Sequence, residues 1–378
     1  MSAIAEITLR NFRSYTEARL TGLASSFVVL TGVNGAGKTN ILEAVSLLSP
    51  GKGMRNADFG DFQHKQNQNL PWPDLPWPDL PWTVSAIIAT QFGEIRAGTG
   101  KDPTKEKRVV HIQGEIAKSQ SQLAEYFTCL WLTPQMDRLF IEAASSRRKF
   151  LDRMVFNFDT GHAGRVTRYE NAMAQRSKLL KDGGAEPAWL DALEIQMAES
   201  GVAVAAARSV FVERLQSVCL TRETAEFPIA ILSLLGVLET EIQHKSALLI
   251  EDEFRVRLKN SRDEDAVYGG AAQGPHKTDF VVTYRDKNMP ASQCSTGEQK
   301  ALLIGLVLAH ADLIRVERGA PPILLLDEVA AHLDPHRRAI LYDLLSHIGG
   351  QVWMTGTDKV LFDALGNKGT HLTIPFEA

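Results

Sequence analysis

Hydrophobic and polar positions change their period twice along the chain. In "ITLRNFRSY", Ile7 and Leu9 alternate with polar neighbours and predict a strand. "FVVLTG", Phe27 to Gly32, predicts a second strand that runs into a glycine loop, and "NILEAVSLL" predicts a helix after it. "WTVSAIIATQF" and "EIRAGTG" predict strands, and "KRVVHIQGEIA" another with a turn at Gly114. From about residue 120 the period becomes helical. "SSRRKFLDRMVFNF" predicts a helix behind a serine cap. Farther on, Leu190, Leu193, Met197, Val204, Phe211, Leu215 and Val218 fall at gaps of three, four and seven, which describe one helix face. That run covers only about four heptads, so a bundle helix is expected rather than a coiled-coil arm. Lys181 to Pro187 predicts the turn between two such helices.

The last hundred residues return to alternation. They predict a hairpin turning at Asp286 to Asn288, then a polar turn that opens a helix with a buried stretch from Ala301 to Ala309. "PPILLLDEVAAHLD", another helix and "QVWMTGTD" follow. Strand and helix alternate at both ends around a helical middle. This predicts an α/β fold whose first and last segments share a sheet, interrupted by a mainly helical insertion. The expected bounds are 1–120 and 271–378 for the α/β parts and 121–270 for the helical lobe.

"LPWPDLPWPDLPW", Leu70 to Trp82, is a five-residue tandem repeat. A polyproline helix has three residues per turn, so a period of five sends Trp72, Trp77 and Trp82 to three different faces and leaves no recognition ridge. A short duplication in a surface loop, where added length costs little, is the expected origin.

Composition adds bounds. The 378 residues are enough for about two domains. At 44% hydrophobic and 23% charged they can bury a sizeable core. A net charge of −4 is no global polycation, so nucleic-acid binding would need a local patch. Arg147, Arg148, Lys149 and Arg153 form one candidate, and Arg165, Arg168, Arg176 and Lys178 another. Arg165 and Arg168 share a helix face and could track phosphates. The plain alternative is a solvated face with local ion pairs. Cys129, Cys219 and Cys294 are odd in number and far apart, which predicts no disulfide framework and a cytoplasmic setting. The start of the chain lacks a signal-peptide pattern, no stretch approaches the ~20 apolar residues of a membrane span, and the histidines lack zinc-type spacing.

Gly32-Val-Asn34-Gly35-Ala-Gly37-Lys38-Thr39 fits G-x-x-x-x-G-K-[ST] between a predicted strand and a predicted helix. Its glycines let successive N–H groups face phosphates, and the helix N-terminus adds partial positive charge. Lys38 is expected on the β- and γ-phosphates of ATP and the Thr39 hydroxyl on Mg²⁺. "ILLLDE" is a strand buried on both faces that ends in two acids, which must therefore face a polar site. Asp327 is expected in the Mg²⁺ shell, and Glu328 is the candidate to polarise the attacking water. Ser295, followed by Gly297, opens a helix and could present free N–H groups to an anion, or could simply cap the helix. His276 is a candidate structural hydrogen-bonder.

In that order, the phosphate loop, "STGEQ", "LLLDE" and "AAHLD" resemble the ABC-type ATPases, and "ITLRNFRSY" resembles their SMC-like branch. "RRKFLDR", "GPHKTD" and "STGEQKALL" resemble the RecF family of bacterial recombination mediators. The resemblance covers essentially the whole chain apart from the repeat. It implies an ABC-type ATPase head carrying an inserted lobe, with ATP and Mg²⁺ as cofactors. It implies an ATP-dependent homodimer in which the turn Ser295 to Glu298 of one subunit meets the nucleotide of the other. The Ser295 hydroxyl and the Gly297 N–H would then contact the γ-phosphate. Gln135 would bridge Mg²⁺ and water, Asp334 would lie across the interface, and Arg13 near the nucleotide. Duplex DNA and single-strand/duplex junctions are the implied ligands, with Arg147, Arg148, Arg165 and Arg168 as contacts. RecR and RecO are the implied partners in loading the RecA recombinase.

Two positions depart from the ABC-type pattern. Thr296 stands where the signature has its first glycine, and Thr357 where a switch histidine is usual. Threonine cannot serve as a cationic sensor of the γ-phosphate, so slow hydrolysis is expected, with ATP acting as a timed switch. The alternative is an ATPase subunit of another ABC-type system such as a transporter. There about 100 residues, one compact set of helices, separate the two motifs, against a whole lobe here.

Overall fold

The computed structural model describes residues 2–64, 81–90, 93–102, 107–126, 128–183, 186–221 and 227–375. The first stretch carries β1 (Ala3–Phe12), β2 (Tyr15–Leu20), β3 (Phe27–Thr31) and α1 (Lys38–Ser46). β4 (Thr83–Thr90), β5 (Gly93–Lys101), β6 (Arg108–Ile112), β7 (Glu115–Ile116) and β8 (Cys129–Leu132) follow. Then come α2 (Ala144–Phe156), α3 (His162–Asp182), α4 (Pro187–Thr221), β9 (Ala230–Leu235), α5 (Val237–Ile242), α6 (Ala247–Asn260) and α7 (Arg262–Tyr268). The rest holds β10 (Asp279–Tyr284), β11 (Met289–Pro290), α8 (Thr296–Arg318), β12 (Ile323–Leu326), α9 (Pro335–Ile348), β13 (Val352–Gly356) and β14 (Gly369–Thr373).

These elements form two compact units, residues 1–136 with 314–378, and residues 137–313. The bounds differ from those expected at 120 and 270. Cys129–Leu132 is a run of four buried apolar residues and completes a parallel sheet. The β9–β10–β11 sheet counts with the helices rather than with the phosphate loop.

In the first unit, the five strands β14-β3-β13-β12-β8 are all parallel. Four of them are continuous apolar runs because both faces are covered, and the edge strand β14 is only partly buried. The first and last segments of the chain thus do share one sheet. The second sheet, β2-β1-β4-β5-β6-β7, is antiparallel and alternates buried with exposed side chains, as a one-sided sheet must. "ITLRNFRSY" is more than one strand: it turns at Arg13 and Ser14 and pairs with itself, Phe12 opposite Tyr15.

Trp82 departs from its expected place in a surface repeat. It is fully buried, stacks edge-on against Phe62 (5.2 Å) and Phe12 (5.9 Å), and donates its indole N–H to the Phe59 carbonyl at 3.0 Å. Trp72 and Trp77 lie outside the described residues. The last Pro-Trp of the repeat is therefore a core anchor, from which "VSAIIAT" enters the sheet.

In the second unit, α4 buries more than the expected stripe. Leu190, Leu193, Met197, Val204, Phe211 and Leu215 are buried, but so are Val202, Ala205, Arg208 and Val212, while Val218 is half-buried. The helix is packed on several sides, which fits a bundle helix. α2 begins at Ala144 behind Ala143 with no side-chain cap, so Ser145 and Ser146 lie inside its first turn and the expected serine cap is absent. Arg176 is no solvated charge. It is fully buried, donating to Glu194 (2.9 Å), Asp265 (2.8 Å) and the Leu258 carbonyl (2.6 Å). Removing one partner of such a hub costs about 3–5 kcal/mol.

His276 is structural, as expected of a lone histidine. Its Nε2 donates to the Ala271 carbonyl at 3.0 Å, and its Nδ1 then accepts from the Tyr169 hydroxyl at 2.7 Å. Burial pushes its pKa down to about 4. Fully buried His310, between the rings of Phe158 and Phe211, is pushed down to about 3 by the same cause. Both folded values lie below the ordinary 6.5, so the unfolded chain binds more protons below that pH and stability falls as pH falls. The thermal midpoint of the wild type should drop between pH 6.5 and pH 4, and His276→Gln should reduce that drop. Calorimetry across this interval checks it; an equal slope in the variant would refute the assignment to His276.

Candidate nucleotide site

Parallel strands bring their C-terminal ends to one edge of a sheet, and ligands of open α/β sheets bind there. At this edge β3 ends in the phosphate loop, β12 in Asp327 and Glu328, β13 in Thr355, and β8 leads through Thr133 to Gln135. Register holds the ends level: Leu326 pairs with both Leu132 and Met354, and Gly356 with Thr31.

Two glycines of the loop are required by contacts that a side chain would block. A Cβ on Gly32 would meet the Ile374 carbonyl oxygen at 2.0 Å, and Gly32 has φ 154°. A Cβ on Gly37, at φ 101°, would meet the Tyr15 hydroxyl at 2.6 Å and the Ser14 hydroxyl at 2.8 Å. Asn34 and Gly35 form the exposed crest. Lys38 is buried and donates to the carbonyls of Gly32 (2.7 Å) and Val33 (3.1 Å), with the Glu328 carboxylate 3.8 Å away. Its ammonium thus lies inside the curl of its own loop.

The Thr39 hydroxyl donates to Asp327 Oδ1 at 2.9 Å, joining the phosphate loop to the acid strand. The same oxygen accepts from the Thr355 hydroxyl at 2.8 Å. Thr355 in turn accepts the Glu328 backbone N–H at 2.9 Å. Asp327 is nearly fully buried, and its carboxylate accepts from these two neutral hydroxyls. A buried carboxylate with such partners is suited to a cation. The Thr39 hydroxyl and Asp327 are hard oxygen donors of the kind that hold Mg²⁺ together with phosphates and water. Two protein oxygens leave the rest of such an ion's shell to phosphates and water, so the donor set fits an ion shared with a nucleotide. Glu328 has φ 56°, a left-handed backbone that is uncommon outside glycine. Strain of this kind gathers at functional sites, and the Thr355 bond fixes it in place. Thr355 was missed in the sequence. Its signal was the strand-end "TGTD", read there only for Thr357, which is exposed in the loop beyond.

Other expected residues are engaged in part. Gln135 is exposed in the short helical turn Pro134–Arg138. Arg13 forms a two-pronged pair with fully buried Glu43 on α1 (2.7 and 2.7 Å), donates to the Asp61 carbonyl (2.7 Å) and lies over the Phe62 ring. Glu43 and its second partner Arg55 (3.2 Å) were also missed. Asp334 caps α9, accepting the Arg337 N–H at 2.9 Å, with Pro335 in the first helical turn.

The signature turn lies in the second unit. Ser295, Thr296 and Gly297 are exposed at the start of α8, where N–H groups lack intrahelical partners. Ser295 does cap this helix, in a reciprocal capping box with Glu298. The cap and the anion-presenting turn are thus one feature. Ala301–Ala309 is buried as expected, apart from half-buried Gly305.

The arginines expected on DNA mostly have internal partners. Arg147 forms a two-pronged pair with Asp279 (2.7 and 2.9 Å) and donates to the Glu142 carbonyl. Arg148 donates to the Thr278 carbonyl at 2.8 Å, and burial lowers its pKa. Arg165 pairs with Asp159. Arg168 is exposed. "RRKFLDR" and "GPHKTD" therefore interlock, since Asp152 also pairs with Arg208 (2.8 Å), which donates to the Pro275 carbonyl at 2.6 Å.

Comparison with known proteins agrees with this geometry. Residues 6–69 match the family described as "AAA domain", and residues 225–355 the family described as "AAA domain, putative AbiEii toxin, Type IV TA system". The chain is 45% identical over 377 residues to a protein of Rhizobium etli named "DNA replication and repair protein RecF", covering 98% of this chain and 97% of that one. It is 48% identical over 366 residues to the protein of the same name from Brucella suis, covering 96% and 92%. Among solved structures it resembles the recombination mediator protein RecF-ATP of the RecFOR pathway, with TM-score 0.81, 24% identity and coverage of 99% and 95%. It also resembles the Smc head domain of Pyrococcus furiosus, with TM-score 0.52, 16% identity and coverage of 96% and 92%. The fold is the one it shares with those two structures, an α/β ATPase head with a mainly helical insertion.

Thr355→Val removes the hydroxyl that holds both Asp327 and the Glu328 backbone but leaves the phosphate loop. Turnover of a nucleoside triphosphate should fall about 10- to 100-fold, as for other supports of metal-ligating groups. Nucleotide affinity should change far less. Single-turnover hydrolysis beside equilibrium binding separates the two, and wild-type turnover would exclude this role.

Proposed function

The chain belongs to the RecF family of DNA replication and repair proteins, and from that premise we propose an ATP-dependent DNA-binding protein of recombinational repair and replication restart. ATP brings two copies together, the dimer clamps duplex DNA near single-strand gaps, and it helps load the RecA recombinase with RecR and RecO. Slow hydrolysis to ADP and phosphate then releases it, in the cytoplasm. An ATPase subunit of a transporter is disfavoured, because the relatives are named for DNA replication and repair.

The observation that carries the ATPase reading is the Thr39–Asp327 hydrogen bond, which joins two loops 288 residues apart in sequence. Lys38 would exchange the Gly32 and Val33 carbonyls for β- and γ-phosphate oxygens. Thr39 and Asp327, together with Gln135, would hold Mg²⁺, which when bound neutralises charge on those oxygens. Glu328 would orient the attacking water and take its proton, its backbone held by Thr355. Ser295 and Gly297 of one copy would donate to the γ-phosphate held by the other, with Asp334 at the same interface. Arg13 would act through Glu43 on α1 rather than on the nucleotide itself. The head would comprise 1–136 and 314–378, and the lobe 137–313. For DNA, exposed Arg168 is the leading contact of the four arginines, because Arg147, Arg148 and Arg165 would have to leave internal partners.

Sedimentation with and without ATP tests this. The wild type should dimerise with ATP, and Lys38→Ala and Ser295→Arg should each remain monomeric. Mixing the two variants should recover dimer, since one composite site keeps both an intact phosphate loop and an intact turn. No recovery would rule out donation across the interface.

A further inference from the structure

The signature turn is not empty of anions: it holds one of its own. Glu298 Oε2 accepts from both the Ser295 hydroxyl (2.8 Å) and the Ser295 backbone N–H (2.9 Å). Its other oxygen accepts from the Lys287 ammonium. Lys287 sits on the turn between β10 and β11 and lies 5.7 Å from the centre of the Tyr284 ring. A serine has one hydroxyl hydrogen and one N–H. Both are directed at the same carboxylate oxygen, so a phosphate that uses Ser295 must take them from Glu298. The freed carboxylate would still stand beside that phosphate, and like charges that close repel.

The helix cap does not require this charge. A glutamine at the same position completes the capping box equally well. What the carboxylate adds is competition with an incoming anion and a partner, Lys287, able to keep hold of it.

Resting on the reading that this turn contacts a nucleotide phosphate, we propose that Glu298 is an internal latch on the signature turn. Its carboxylate occupies the Ser295 donors until the phosphate of ATP displaces it, and Lys287 retains and neutralises the displaced group. Glu298 and Lys287 are thus positioning residues that set how much ATP is needed to close the dimer. Lys287 and the Ser295 donors hold the Glu298 pKa near 2, so the latch is anionic throughout the neutral range.

The test is an ATP titration of dimer formation by the full chain, read by sedimentation. Glu298→Gln keeps the cap and removes the charge, and should lower the ATP concentration for half-maximal dimer several-fold, up to about tenfold. Lys287→Met leaves the displaced carboxylate unpaired and should raise it. In the double variant the Lys287 effect should vanish, because its only role is toward Glu298. An unchanged or raised midpoint in Glu298→Gln, with Ser295→Arg still blocking the dimer, would overturn the latch and leave the turn's role intact. A Lys287 effect that persists in the double variant would also overturn it, since Lys287 would then act on the phosphate directly. ATP-dependent dimerisation of Ser295→Arg would instead remove the reading beneath it.

Discussion

One oxygen, Asp327 Oδ1, organises the nucleotide side of this protein. It accepts from Thr39 behind the phosphate loop and from Thr355 at the end of the neighbouring strand. Through Thr355 it also steadies the left-handed backbone of Glu328. Three loops that arise from three strands are thus referred to one buried carboxylate. That arrangement is possible because the strands are parallel and level, which places all their C-terminal ends at one edge. A buried carboxylate is costly unless it is satisfied. The same cost makes the position a good one for a cation that arrives with its phosphates.

The second unit is organised differently, by buried arginines. Arg176 gathers α4, α6 and α7 through Glu194, Leu258 and Asp265. Arg208 joins α2 and the Pro275 loop through Asp152. Arg147 and Arg148 tie α2 to β10 and the residue before it. Charged residues that in sequence read as a basic surface are here the internal framework. Guanidinium groups suit the task because their planar forks satisfy several acceptors at once. Fully partnered, they need no solvent.

The parallel strands and the phosphate loop were legible because their signals are local. Four consecutive aliphatics before two acids have few other uses, and a glycine loop between a strand and a helix has one strong reading. Trp82 was not legible. Its "LPW" is identical to two upstream copies, and nothing local separates the copy that enters the core. The cap of α2 was misplaced because Ser145 and Ser146 are good caps by type, while the helix was free to start one residue earlier at Ala144. Thr355 was passed over because a threonine at a strand end is ordinary. Only its distance from Asp327 makes it part of the site.

By itself, then, the sequence determined which residue types stand at each strand end and which chemistry they suit, since these follow from backbone period and from groups a few residues apart. It also offered two uses for the turn at Ser295, a helix cap or an anion grip. Only the tertiary structure decided which charges are available. Arg13 is committed to Glu43 and Arg147 to Asp279. Hydrogen-bond donors are finite, and partners far apart in the chain claim them only once the fold brings them within about 3 Å.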